Sequence, residues 1–177
     1  VLLGGLVASG AYMKEHHEAR DGEEGLTMTD LEGAYHGANE AGVTSLFPHR
    51  APDYPRPELT SAGTPAMREY LLVAPYNDLE ASRRIIAENA AELAGIIIEP
   101  LQRCTPPKPG FLEGVRAACT EAGVLLIFDE VVTGFRLAYG GAQEYYGVTP
   151  DLCTLGKALA GGFALVLCAA AMRIAPR

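Results

Sequence analysis

With 177 residues, 49% of them apolar and 20% charged, the chain is long enough for one domain with a substantial core. A net charge of −8 and a pI near 5.0 argue against nucleic acid, whose phosphates need a basic face, and give no reason to expect an anionic membrane as partner. Cys104, Cys119, Cys153 and Cys168 are scattered without a CxxC or zinc spacing, and read as reduced thiols of a cytoplasmic protein.

Residues 1–11 are apolar and Gly-rich but lack a basic n-region, so they do not read as a signal peptide. Residues 14–25 are polar, the pattern of a short solvated helix closed by Gly22 or Gly25. Its His16-His17-Glu18 run does not read as a metal site, because adjacent side chains point apart on a helix. A short strand is predicted over 26–31, leading into the Gly-flanked turn Gly33-Ala-Tyr35-His36-Gly37. Residues 38–68 carry Pro48, Pro52, Pro55, Pro57 and Pro65 and read as a long surface excursion. A strand over 70–73 follows. Asn77 is then placed to cap a helix over 78–92 whose apolar stripe is Leu79, Ile85, Ile86 and Leu93.

The apolar run 94–98 reads as a buried strand ending at Glu99 and Pro100. A Pro-rich loop leads to a helix over 110–122, then Gly123 and a strand over 124–129. Strand, helix and strand at this spacing form a βαβ unit, so the fold class is α/β: a mostly parallel sheet with flanking helices. Gly134, Gly140 and Gly141 precede a short helix near 142–146, and Pro150-Asp151 opens the last predicted strand, which ends at Lys157. The apolar stretch 163–172 is far short of the roughly 20 residues that span a bilayer.

Parallel strands deliver functional groups at their carboxyl ends. Asp129 and Lys157 both sit where a buried strand meets a loop. A lysine amine freed of its proton forms Schiff bases, and a buried carboxylate needs a cationic partner. An aldehyde cofactor with a basic ring nitrogen answers both, and pyridoxal 5'-phosphate is that cofactor. Glu99 ends another apolar strand, where it either joins a polar network beside the cofactor or caps the turn before Pro100. Tyr35 and His36 offer an aromatic turn for ring stacking, and Val131 an apolar contact for the opposite ring face; surface packing of the turn and a core valine are the alternatives. Gly156 lets backbone approach a flat ring. The strand before Asp129-Glu130 is like a Walker B strand, but before Gly156-Lys157 the first P-loop glycine is Asp151, and Ala158 replaces the Ser/Thr. No G-x-G-x-x-G follows a strand, so nucleotide-binding folds are not supported.

From 32 to 162 the chain resembles the class III (fold type I) pyridoxal-phosphate aminotransferases, in particular the glutamate-1-semialdehyde 2,1-aminomutase type. The resemblance rests on Ala74-Pro-Tyr-Asn-Asp-Leu-Glu80, Pro106-Pro-Lys-Pro-Gly-Phe-Leu-Glu-Gly114 and Leu126-Ile-Phe-Asp-Glu-Val-Val-Thr-Gly-Phe-Arg136, and continues through Ala138-Tyr-Gly-Gly-Ala-Gln143 and Gly147-Val-Thr-Pro-Asp151 to Thr154-Leu-Gly-Lys157. It implies part of a fold type I large domain over 32–162, with a divergent N-terminal segment 1–31 and a divergent tail 163–177. It further implies that Lys157 forms the Schiff base and moves protons, that Asp129 pairs with the pyridine nitrogen, and that Tyr35 stacks on the ring with Val131 beneath it. Glu99 matches the family's Glu-Pro strand end, and His36 the turn beside it. The implied activity is amino-group transfer between small-molecule donors and acceptors by a homodimer. The family's Ser-Gly-(Thr/Ser)-Glu-Ala phosphate turn is not found in 1–31, and Leu101-Gln-Arg-Cys104 departs from the aminomutase pattern. The alternative reading is therefore a catalytically inactive fragment that acts at most as a binding or dimerisation module.

Overall fold

The computed structural model describes residues 27–37, 53–57 and 70–170. The predicted helix in 14–25, the His16-His17 pair and most of the 38–68 excursion lie outside the described residues. Six strands form one sheet: β1 (Thr27–Leu31), β2 (Leu71–Ala74), β3 (Leu93–Ile98), β4 (Leu125–Glu130), β5 (Leu152–Leu155) and β6 (Leu167–Ala170). Their order across the sheet is β2-β1-β3-β4-β5-β6. All neighbours are parallel except β5 and β6, which are antiparallel. The described helices are α1 (Leu79–Glu88), α2 (Phe111–Ala122) and α3 (Gly141–Tyr146). None is long and apolar enough to cross a membrane.

The apolar runs of β3 and β4 have side chains buried on both faces of the sheet, as parallel strands require. Ile96, Ile98, Leu126 and Phe128 join Ile85 and Ile86 of α1 and Phe111, Leu112 and Val115 of α2 in the main core. The alternate residues Ile97, Ile127 and Leu152 form a smaller cluster of their own. Gly123 ends α2 with φ 67°, and its N–H donates to the Cys119 and Thr120 carbonyls, a left-handed stop that a side chain would strain.

Three local expectations are corrected. The N-cap of α1 is Asp78, whose Oδ1 accepts from the Ala81 N–H at 3.0 Å; Asn77, at φ 65°, is drawn away to the Pro106 carbonyl and the Lys108 N–H. α1 stops at Glu88, because the Asn89 side chain takes the Ile85 carbonyl, and Leu93 begins β3 rather than ending the helix stripe. The strand leading to Lys157 ends at Leu155 and is not the last, since β6 returns along it.

The topology dictates where a site can form. The chain leaves β1 to place β2 on one side and then returns to place β3 on the other, so connections diverge at the β1/β3 junction. The carboxyl ends of parallel strands at such a switch point leave a crevice.

Candidate active site in a crevice at the strand ends

A cavity of about 370 Å³ opens there, lined by residues following β1 (Tyr35, His36, Gly37), β3 (Glu99, Leu101, Arg103, Cys104) and β5 (Lys157), and by Asp129 of β4 with Val131 and Val132 just past its end. All six residues singled out from the sequence, Lys157, Asp129, Val131, Tyr35, His36 and Glu99, line this one cavity. Parallel strands explain the convergence, because β1, β3, β4 and β5 all end on the same edge.

Asp129 is held on all sides. Its Oδ1 accepts from the Val131 N–H at 3.0 Å and the Thr154 hydroxyl at 3.1 Å, and its Oδ2 lies 2.6 Å from His36 Nδ1. Thr154 reaches it because register pairs Asp129 with Thr154 across β4 and β5. Burial works to raise the Asp129 pKa, but the hydrogen bond and charge of His36, with the Val131 N–H and Thr154, outweigh it and hold the carboxyl below its ordinary value. The residue is thus a buried anion at neutral pH.

Glu99 carries Tyr35: its Oε1 accepts from the Tyr35 N–H at 2.8 Å. The Tyr35 ring remains 44% exposed, so it is available to stack on a guest. Val131 is buried at the cavity wall. Gly156 serves this valine: a Cβ at 156 would lie 3.3 Å from Val131 Cγ1 and 3.4 Å from the Leu165 carbonyl oxygen. Gly156 was expected to let backbone approach a flat ring; the close approach seen at this position is toward Val131 and the Leu165 carbonyl. Lys157 is exposed and adopts φ 40°, a left-handed conformation that non-glycine residues rarely take.

Residues not singled out from the sequence complete the setting. Glu130, next to Asp129, is fully buried. Its carboxylate accepts from the Thr133 hydroxyl at 3.0 Å, the Gln143 side-chain amide at 3.1 Å, the Gln143 N–H at 3.3 Å and the Ala142 N–H. These bonds tie the end of β4 to the first turn of α3, where an anion is also favoured by the exposed N–H groups. Gln102 donates to the Glu32 carbonyl at 2.6 Å and fastens the loop after β3 to the exit of β1. A polar residue within an otherwise apolar strand was the available signal for Thr154; the partners of Glu130 and Gln102 lie too far along the chain for any local pattern.

The sequence profile of "Aminotransferase class-III" matches residues 7–176. The chain belongs to the class III aminotransferase family. A glutamate-1-semialdehyde 2,1-aminomutase from Methanococcus maripaludis is 48% identical over 141 residues, covering 75% of this chain and 31% of that protein. An ω-transaminase from Sphaerobacter thermophilus superposes with a TM-score of 0.80 at 31% identity, over 93% of this chain and 39% of that one. A transaminase with pyridoxal phosphate bound gives a TM-score of 0.75 at 25% identity, over 92% of this chain and 38% of the other. This class III chain therefore spans about a third of the curated relative's length, and its sheet with flanking helices is part of the fold type I transaminase domain.

Proposed function

We propose that the crevice binds pyridoxal 5'-phosphate and that the protein transfers amino groups from a small-molecule donor to a carbonyl acceptor, as an aminotransferase or an enzyme of the glutamate-1-semialdehyde 2,1-aminomutase type. One observation carries this reading: Lys157, just past the end of β5, and the largely buried, ionised Asp129 of the neighbouring parallel strand β4 line the same cavity. Held through Lys157, such a cofactor would supply an electron sink for bonds at the donor carbon.

The surrounding residues fit that guest. Asp129, kept anionic by His36, Thr154 and the Val131 N–H, favours a protonated ring nitrogen. Tyr35, braced by Glu99, offers an aromatic face, and Val131, pressed by Gly156, an apolar one. Lys157 would also be the group to hold or move a proton at the donor carbon. We further propose that a second copy of the chain covers exposed apolar side chains such as Phe135 and Tyr139, whose rings meet edge to face at 6.0 Å while Tyr139 stays 88% exposed. A cytoplasmic setting fits the four unpaired thiols.

The chain has three lysines, Lys14, Lys108 and Lys157, which makes the test direct. The protein is incubated with pyridoxal phosphate, reduced with borohydride and digested, and the labelled peptide is identified by mass. The label is expected on Lys157 and lost in Lys157→Ala. A label on Lys14 or Lys108, or none, would reject the assignment.

A further inference from the structure

We infer that Glu130 is a positioning residue: from the opposite face of the sheet it sets the spacing between Asp129 and Lys157, and so decides whether both reach one bound ring. The inference rests on the cofactor reading above and adds to it the residue that holds the two sides of the site in register.

Side chains alternate along a strand, so Asp129 faces the crevice and Glu130 the main core behind it. Register pairs Asp129 with Thr154 and then Glu130 with Leu155. The second pair is the last rung of β4 and β5. Beyond it the chain runs to Val131 on one side and to Gly156 and Lys157 on the other. Whatever fixes this rung fixes how far apart the two functional groups stand.

Glu130 fixes it with side chain and backbone together. Its fully buried Oε2 accepts from the Thr133 hydroxyl at 3.0 Å and from the Ala142 N–H. Its Oε1 accepts from the Gln143 N–H at 3.3 Å and the Gln143 side-chain amide at 3.1 Å. The Glu130 carbonyl takes the Gly134 N–H at 2.9 Å. One residue thus closes the loop 131–141 at both ends. That loop presses on the end of β5: a Cβ at Gly134 would lie 2.6 Å from Leu155 Cδ2, and one at Gly156 3.3 Å from Val131 Cγ1. The exits of β4 and β5 therefore bear on each other without slack. Both carboxylate oxygens face a backbone N–H, so a glutamine at this position sets its NH2 group against a donor whichever way it turns.

The test compares pyridoxal phosphate with its carbocyclic analogue, in which C–H replaces the ring nitrogen. The full chain is used in wild-type, Glu130→Gln, Thr133→Val and Asp129→Asn forms, and affinity is read from the absorbance change of each aldehyde on binding. General loosening weakens both guests alike, whereas altered spacing weakens the one whose ring nitrogen needs Asp129. The ratio of the two affinities should fall about 5- to 30-fold in Glu130→Gln, as for one lost hydrogen bond to a charged group. Thr133→Val keeps its shape, removes one donor and should lower the ratio by less; it decides the matter if Glu130→Gln does not fold. In an Asp129→Asn background Glu130→Gln should leave the ratio unchanged. A ratio that stays at the wild-type value in the folded variants, or a fall that persists without the Asp129 carboxylate, would overturn the inference and leave Glu130 a purely structural residue. Absence of a label on wild-type Lys157 would instead remove the cofactor reading itself, and this inference with it.

Discussion

Gly141→Ala should be one of the most damaging single-methyl changes in the chain, and Gly147→Ala provides its control. Gly141 opens α3 and Gly147 follows its end, and both have positive φ, 76° and 69°. Alanine in a left-handed conformation costs about 1–2 kcal/mol at either position. At Gly147 nothing lies within 4 Å of the added Cβ, so that cost is the whole effect. At Gly141 the methyl runs onto Glu130 Oε2 and comes within 2.9 Å of Cδ. Glu130 cannot step aside freely, because it is fully buried and bonded to Thr133, Ala142 and Gln143. Either α3 shifts, at about 1–3 kcal/mol for an overpacked site, or a buried donor loses its partner at a similar cost. Gly141→Ala should therefore lose about 2–5 kcal/mol in all, against about 1–2 kcal/mol for Gly147→Ala. Urea unfolding followed by circular dichroism, with both variants analysed at a common slope, reads the difference. In a Glu130→Ala background the two glycine changes should become equal, as a double-mutant cycle would show. Equal losses in the unaltered background would refute the claim that the Glu130 carboxylate is fixed against the start of α3.

Two further expectations concern titration and thiol chemistry. The Asp129 carboxyl titrates below its ordinary value of 3.8, so its bonds to His36, Thr154 and Val131 stabilise the fold fully above that pH and are lost as pH falls through the lower native value. Asp129→Asn should be less stable than wild type by about 1–3 kcal/mol at neutral pH, and the gap should begin to narrow below about pH 4 and close as pH falls through the lower native value; a gap that stays constant in urea midpoints across this range would contradict the assignment. Burial pushes the Cys119 thiol up to about 12, whereas Cys104 is exposed at the cavity wall. Iodoacetamide at about pH 8 should thus alkylate Cys104 well before Cys119, as judged by peptide mapping, and early modification of Cys119 would show that the α2 face is not packed as described.

What could be seen in the sequence follows from how far each interaction reaches. The runs 94–98 and 124–129 are apolar on both faces, a signal that needs no partner to be visible, and β3 and β4 lie there. α2 was legible because glycines stand at both ends and its apolar residues repeat with helical period. The convergence of Lys157, Asp129 and Glu99 on one cavity followed from a rule about parallel strand ends, whereas Tyr35 and His36 were singled out by their Gly-flanked turn and by the family resemblance. β6 was hidden because Leu167–Ala170 is rich in small residues and is a strand only by pairing with β5. Asn77 and Asp78 are both good caps, and the choice between them was made by a loop some thirty residues away, through Pro106 and Lys108. The turn at Arg103 and Cys104, with φ of 46° and 67°, was likewise invisible: nothing in Leu101-Gln-Arg-Cys announces two left-handed residues, and the bonds that anchor this loop run from Gln102 to Glu32 and from Tyr76 and Asn77 before α1.

Lys157 sits at φ 40°, where glycine or asparagine rests more comfortably than a long side chain. Directed evolution for heat resistance alone should accordingly shed this ammonium in favour of glycine. On the role proposed for Lys157, robustness and reactivity then compete for a single backbone position, and libraries screened without a chemical readout are expected to drift toward sturdier, inert descendants.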